Sequence, residues 1–421
     1  MHDPEKEPRE ELAPVALPRL GEQLNALLAR FDAQPLLGVV AIDASAFGFV
    51  EATHGGAARL QAIARLGALV RGIADPFFGG DALVVAGETG RLELAIFVCR
   101  AANDGAFFRQ ELPGLVRALE RSFEQGGRRL FYPWVREGPV LGVGYAAALR
   151  NPFRAAETQL CGVLDEAREH ARLTRRVQER RRRHEFLSVL LSGRVSSVYE
   201  PIVSVASKTV LGYEALARGP EGSEFHSPLA LFETAERESL VFELDCLCRQ
   251  SGLDGATALP GGTKLFLNVR PTAIHDPNFR PGTVIQTLER VNLAPRDVVF
   301  EISEQESIGN FGAFREVRDE YRKLGFQFAL DDTGAGYASL QALIELEPDF
   351  IKVDRALITN LDTDRSKQSL LRALQGVADG IGAKIIGEGL DTLEELEMLG
   401  ELGIQFGQGW LFGKPTPLRA R

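Results

Sequence analysis

Asp331 and Asp332 stand side by side at the end of an apolar run, in "FQFALDDTGAGYASL" (326–340). Like charges a few ångströms apart repel, and burial sharpens the repulsion, so something must compensate. Six other short apolar runs in the same half of the chain also stop on a polar group. "VLGYE" stops at Glu214, "KLFLN" at Asn268, "DVVFE" at Glu301, "DFIK" at Lys352, "AKIIGE" at Glu388 and "IQFGQ" at Gln408. Five carboxylates cannot share one pocket in ionised form without cations. Carboxylate oxygens with the amide oxygen of Asn268 suit hard divalent ions such as Mg2+ or Mn2+. Neighbouring aspartates let one carboxylate bridge two ions while the other holds the second, which is how a two-metal site is assembled.

The elements that must position these groups are short β-type runs alternating with helical stretches. Helical patterns fall at 228–253 ("PLALFETAERESLVFELDCLCRQSGL") and 310–325 ("NFGAFREVRDEYRKLG"). Such alternation predicts mainly parallel strands covered by helices. Seven runs over 195–421 suit an α/β fold of the (β/α)8 barrel type, in which strand ends project into one mouth. The polar residues are therefore expected to converge.

The first half has a different texture. "LLGVVAID" (36–43), "LELAIFV" (92–98) and "PVLGVGYAA" (139–147) read as strands around a helical "AARLQAIARLGALVRGI" (57–73), together one compact α/β domain over 21–152. Residues 1–20, acidic and proline-bearing, read as a flexible leader and not a secretory signal. Residues 153–192 read as one long linker helix, whose arginine run "RRVQERRRRHEF" (175–186) is taken as a solvated face.

A chain of 421 residues is too long for one ordinary core, which makes two domains the expectation. Its net charge of −10 argues against a nucleic-acid polymer as partner, although cations can reverse the sign of a local site. No apolar run approaches the roughly 18 residues of a membrane helix, so no membrane partner is expected. Cys99, Cys161, Cys246 and Cys248 are scattered, which suits reduced thiols in a cytoplasm. The CxC of Cys246 and Cys248 reads as helix packing. The six histidines never take HxxxH spacing, which excludes the common zinc-hydrolase pattern.

Residues 199–417 resemble an EAL domain, the cyclic di-GMP phosphodiesterase family. "YEPIVSVASKTVLGYEALAR" holds Glu214-Ala215-Leu216 and Arg218, and "FLNV", "FEISE", "DDTGAGYASL", "DFIKVD", "GEGLDT" and "GQGWLFGKP" follow in the family's order. The resemblance implies one cation on Glu214, Asn268, Glu301 and Asp331, and a second sharing Asp331 and adding Asp332 and Glu388. It implies that Lys352 assists the attacking water and that Gln408 orients water or phosphate. Glu200, Arg218, Asp391 and Glu304 would face the dinucleotide. The reaction implied is in-line attack of water on one phosphodiester, opening cyclic di-GMP to linear pGpG in a cytoplasmic homodimer. Three positions depart from the family pattern. Glu200 replaces its usual glutamine, Thr333 and Ala335 alter the loop after the aspartates, and Asp391 is one methylene shorter than the usual glutamate.

Residues 36–170 resemble, more weakly, a GGDEF domain of the diguanylate cyclase fold. Asp43 and Phe47 in "AIDASAF" match its metal aspartate and the phenylalanine after it, and the signature has become "GRLEL" (90–94), keeping only Gly90 and Glu93. Arg91 and Leu92 replace the residues that approach triphosphate and metal, and Glu51 and Ala52 replace the guanine readers. A degenerate domain is expected, either an inert stability module or a sensor of GTP or a regulatory protein. Two rivals remain for the barrel: a cyclic di-GMP receptor without turnover, and a sugar hydrolase with paired carboxylates and no metal. Trp410 and Phe412 either stack on a base or pack the barrel wall.

Overall fold

The computed structural model describes residues 17–88, 91–131, 140–303, 311–334 and 339–418. The chain divides into two compact units, Met1–His184 and Glu185–Arg421, and the division falls inside one helix, Ala156–Leu191.

In the first unit, strands β1 (Leu36–Asp43), β2 (Leu83–Ala86), β3 (Glu93–Arg100) and β4 (Gly142–Leu149) form an antiparallel sheet in the order β2-β3-β1-β4. Alternation along β1 splits the core. Val40 and Ile42 face one hydrophobic cluster with helices Gly48–Phe78 and Leu112–Phe131, while Leu37, Val39 and Ala41 face another with Leu20–Ala33 and Ala156–Leu191. Of the expected leader, 1–16 lie outside the described residues, whereas Leu17 packs on the first cluster and Pro18 accepts from the Ala86 amide at 2.9 Å.

The second unit is a closed eight-stranded barrel. Its strands are β5 (Ser196–Ser204), β6 (Val210–Arg218), β7 (Lys264–Asn268), β8 (Val298–Ser303), β9 (Gln327–Thr333), β10 (Phe350–Val353), β11 (Lys384–Gly387) and β12 (Phe406–Gln408), neighbouring one another in chain order around the ring. One correction concerns β5, which runs antiparallel to both β6 and β12, while the other pairs are parallel. A short turn with Lys208 at φ 58° suffices to join β5 to β6 as a hairpin, where a parallel connection would need a crossover helix. A uniform (β/α)8 succession is therefore not what closes the ring. Nor is 228–253 a single helix. It breaks into Pro228–Glu238 and Val241–Asp254 at Ser239, whose φ of 59° ends the first piece.

Within the barrel, Ile202, Phe266, Val299, Ala329, Phe350 and Ile386 form one buried layer, with Phe406 partly buried against it. Each large side chain buried there contributes roughly 1.5–3 kcal/mol. Side chains alternate along a strand, so the residue two steps on points inward again, one layer higher. Those residues are Asn268, Glu301, Asp331, Lys352, Glu388 and Gln408. On antiparallel β5 the same layer lies two residues before Ile202, at Glu200. The apolar plug thus sets the height of the polar tier above it.

Candidate functional site

The ends of the strands are less abrupt than the apolar runs suggested. Glu214 lies four residues inside β6, because pairing with β5 carries that strand on to Arg218 opposite Ser196. Glu301 precedes the end of β8 by two residues, and both aspartates fall within β9.

Lys352 stands at the centre. Its Nζ lies 2.7 Å from Glu388 Oε1, 3.0 Å from Glu301 Oε1, 3.2 Å from Asp331 Oδ1 and 3.2 Å from Glu214 Oε2. An ammonium has three hydrogens, so it cannot satisfy four carboxylates with aligned bonds. Glu301 Oε1 and Asp331 Oδ1 are indeed buried without a hydrogen-bond partner, held by charge alone, and Gln408 Oε1 is a third such buried acceptor. Asn268 Nδ2 donates to Glu214 Oε1 at 3.1 Å and Glu301 Oε2 at 3.3 Å. Gln408 Nε2 donates to Glu214 Oε2 at 2.6 Å and Glu200 Oε2 at 3.0 Å.

Asp332 joins by a local departure from strand geometry. On a regular strand it would face away from Asp331. Between β9 and β10, however, Leu330 pairs with Ile351 and Thr333 with Val353, so β9 carries one extra residue, a bulge at the two aspartates. Asp332 takes φ 57°, a left-handed conformation that aspartate tolerates better than most residues. The bulge brings a carboxylate oxygen of Asp331, Asp332 and Glu388 within 4.8 Å of one another. That answers why two acids sit together: the chain spends an irregularity on aiming both into one mouth.

The titration behaviour follows from burial and charge. Burial and the neighbouring Glu214 push Glu301 well above the usual carboxylate range, and burial raises Glu388 in spite of Lys352. Burial and then Asp331 raise Asp332 to about 6. Glu214 is the exception. Burial alone would raise it, but Lys352 and the Gln408 amide hold it below its ordinary value. Burial would lower Lys352, yet Asp331, Glu214, Glu301 and Glu388 together drive it well above the ordinary lysine value.

One internal cation faces five acids. The remaining negative charge, the orphaned buried oxygens and an all-oxygen donor set fit divalent cations of the Mg2+ or Mn2+ type. Asn268 fits as well, since a half-turn of its amide exchanges Nδ2 for the ligating Oδ1 within the same volume.

Of the other expected site residues, Arg218 ends β6, where its guanidinium donates to Ala217 O at 2.8 Å within the field of Glu200 and Glu214. Asp391 stands outside the cluster in an exposed ion pair with Arg355 at 2.9 Å. Glu304 and Ala335 lie outside the described residues. Trp410 is 58% exposed, and Lys414 Nζ sits 4.5 Å from its ring centroid. Asp354 escaped the sequence reading. It caps helix Arg355–Ile358 and contributes to the rise of Asp332. Its position two residues after Lys352, in "KVD", was the available signal.

Comparison with known proteins places this geometry. The EAL domain family matches residues 181–415, and the chain belongs to that family. An uncharacterized protein of Azorhizobium caulinodans is 29% identical over 318 residues, covering 72% of this chain and 42% of the relative. The probable cyclic di-GMP phosphodiesterase PdeG of Escherichia coli is 30% identical over 235 residues, covering 53% of this chain and 45% of the relative. This chain thus spans less than half the length of these two curated relatives. The Xanthomonas citri FimX EAL domain, solved in complex with c-diGMP, superposes with a TM-score of 0.52 at 21% identity. That likeness covers 58% of this chain and 97% of the other, and speaks to fold. Among the described residues no helix is long and apolar enough to cross a membrane, and all four cysteines are free.

Proposed function

We propose that the barrel hydrolyses cyclic di-GMP to linear pGpG with the help of two divalent cations. The observation that carries this reading is the buried tier in which Lys352 alone opposes Glu214, Glu301, Asp331 and Glu388, with Asp332 swung in by the bulge. Activity named for relatives such as PdeG points the same way. Glu214, Asn268, Glu301 and Asp331 would hold one cation, and Asp331, Asp332 and Glu388 the other. When bound, such ions supply an activated water and stabilise the charge that builds on the phosphate oxygens.

The chain's own residues do the rest. With no cation present, the four carboxylates around Lys352 favour its charged form, and its Nζ is a donor placed among the groups that would hold the cations. It orients an oxygen beside the phosphate and stabilises negative charge in the transition state. Gln408 fixes the rotamers of Glu214 and Glu200 through one amide. Among the described residues Arg218 has its own strand's carbonyl as its close acceptor, which leaves its guanidinium able to meet a phosphate or a guanine edge.

The first unit is a degenerate GGDEF-like domain in this reading, regulating a homodimeric barrel. The test of the barrel is direct. The chain incubated with cyclic di-GMP and Mn2+ should release pGpG on chromatography, and Glu214→Ala or Asp331→Ala should abolish release without loss of fold. Retained turnover in either variant rejects the metal assignment. Glu200 favours one second reading, a receptor without turnover, since it adds a sixth carboxylate beside the scissile phosphate. Binding without pGpG release would decide for it.

A further inference from the structure

We propose that the short helix Arg355–Ile358 clamps the ligand set of the second cation, with Arg355 and Leu357 as positioning residues that act on it through two glycine turns. The inference rests on the two-cation reading above and concerns what holds Asp331, Asp332 and Glu388 within reach of one another. Two of these acids lie at the end of β9 and the third follows β11, with β10 standing between the two strands. Their spacing therefore depends on what joins the turns beyond β10.

The backbone that leaves β10 touches both turns. Asp354 N donates to Thr333 O at 3.2 Å, and Glu388 N donates to Val353 O at 3.0 Å. The helix begins on the next residue, capped by the Asp354 carboxylate, which accepts from Ala356 N at 2.7 Å. Beyond its far end, buried Glu395 accepts from Asn360 N at 3.0 Å and, through its other oxygen, from Asp391 N at 3.1 Å and Thr392 N at 3.2 Å. The helix is thus fastened at its start to both turns and at its end to the segment that follows Glu388.

Between these ties its side chains act as spacers. Gly334, two residues past Asp332, has φ 106°, and Gly389, directly after Glu388, has φ 68°. A Cβ on Gly334 would run into the end of the Leu357 side chain, and one on Gly389 would lie 2.7 Å from Arg355 Cβ and Cδ. Glycine at each place lets the turn close onto the helix. Residues two apart on a helix point roughly 200° from each other, so Arg355 and Leu357 reach opposite ways, one to each turn. For Arg355 the working part is the aliphatic stem. Its guanidinium pairs with Asp391 in an exposed contact, a kind that contributes little. A cation of the Mg2+ type tolerates little error in ligand position, so a slack clamp costs the second site its affinity. The first site keeps Glu214, Asn268 and Glu301 from β6, β7 and β8, none of which neighbours β10 in the ring, and is spared.

The test is Mn2+ binding by the full chain without nucleotide, followed by calorimetry and by the EPR signal of neighbouring ions, so it is independent of pGpG release. The parent chain should take up two ions. Arg355→Ala and Leu357→Ala should bind the first with parental affinity and the second at least tenfold more weakly, with loss of the coupled signal. Arg355→Met, which keeps a stem and no charge, should bind both ions as the parent does. Alanine variants that hold both ions with parental affinity, alanine variants that weaken both sites equally, or Arg355→Met as weak as Arg355→Ala would each overturn the proposal. A parent chain that takes up fewer than two ions would reject the two-cation reading itself, and the clamp with it.

Discussion

Glu200 and Glu214 face each other across β5 and β6, and both accept from the single side-chain amide of Gln408. One donor group thus holds together two like charges, one of them belonging to the tier around Lys352. Burial raises Glu200 above the ordinary carboxylate range, the sign of a charge poorly accommodated where it stands.

Replacing Glu200 by glutamine keeps the shape and the partner and removes the charge. Binding of cyclic di-GMP should tighten about tenfold, corresponding to roughly 1.4 kcal/mol of relieved repulsion against the phosphates. Calorimetry or fluorescence titration of Glu200→Gln against the parent chain reads this directly. Unchanged or weaker affinity would mean that the carboxylate accepts from a base edge and is not repelling phosphate.

The bulge at Asp331 and Asp332 separates charge from backbone as causes. Asp332→Asn preserves a residue that tolerates φ 57° and removes the carboxylate. The variant should melt within a few degrees of the parent and lose about 100-fold or more in turnover. Asp332→Ala should lose the same activity and, in addition, about 1 kcal/mol of stability from the left-handed backbone. Equal stability of the two variants would show that the bulge stores no strain at this position.

How much of this was legible in the sequence depends on period. Val299-Phe300-Glu301, Phe350-Ile351-Lys352 and Phe406-Gly407-Gln408 each place a polar residue two steps beyond an inward apolar one, and a strand period of two makes that readable. Asp332 broke the rule, because the bulge is fixed by the register with β10 and no local pattern announces it. The antiparallel course of β5 was hidden for a related reason: the side-chain alternation in "YEPIV" has a period of two whichever way the strand runs, so it carries no mark of direction. Ser239 looked like helix interior, since its left-handed φ carries no glycine or proline to mark it. Asp391 shows a different limit: its place came from motif position and not from period, and its ion pair with Arg355, 36 residues away, is a long-range contact that no local pattern announces.

Among the described residues Lys352 is the only lysine in the buried tier, and it bridges four acids. Lys352→Met keeps the volume and deletes the charge. Breaking a buried ion network by removing one partner typically costs about 3–5 kcal/mol. The variant in EDTA should therefore melt many degrees below the parent, and Mn2+ should recover a larger share of its stability than it adds to the parent. Thermal unfolding of both chains, with and without Mn2+, checks this. Equal Mn2+ shifts would mean that lysine and metal do not compensate the same carboxylates.

The same cluster dictates an unusual dependence on pH. Asp332 rises from its ordinary 3.8 to about 6, and Glu301 and Glu388 rise well above their ordinary values. A raised acid binds its proton more tightly folded than unfolded, so its contribution is complete below the unfolded value and is lost as pH climbs through the folded one. In EDTA, the unfolding free energy of this unit should therefore fall between pH 5 and pH 8. Glu214, held low, loses its contribution only at more acidic pH and does not mask this slope. Cations compete with those protons, so their affinity should climb over the same interval and Mn2+ should flatten or reverse the slope. Urea unfolding at pH 5 and pH 8, with and without Mn2+, measures both effects. Metal-free stability that rises with pH would show that these carboxylates are ionised at no cost before any metal binds.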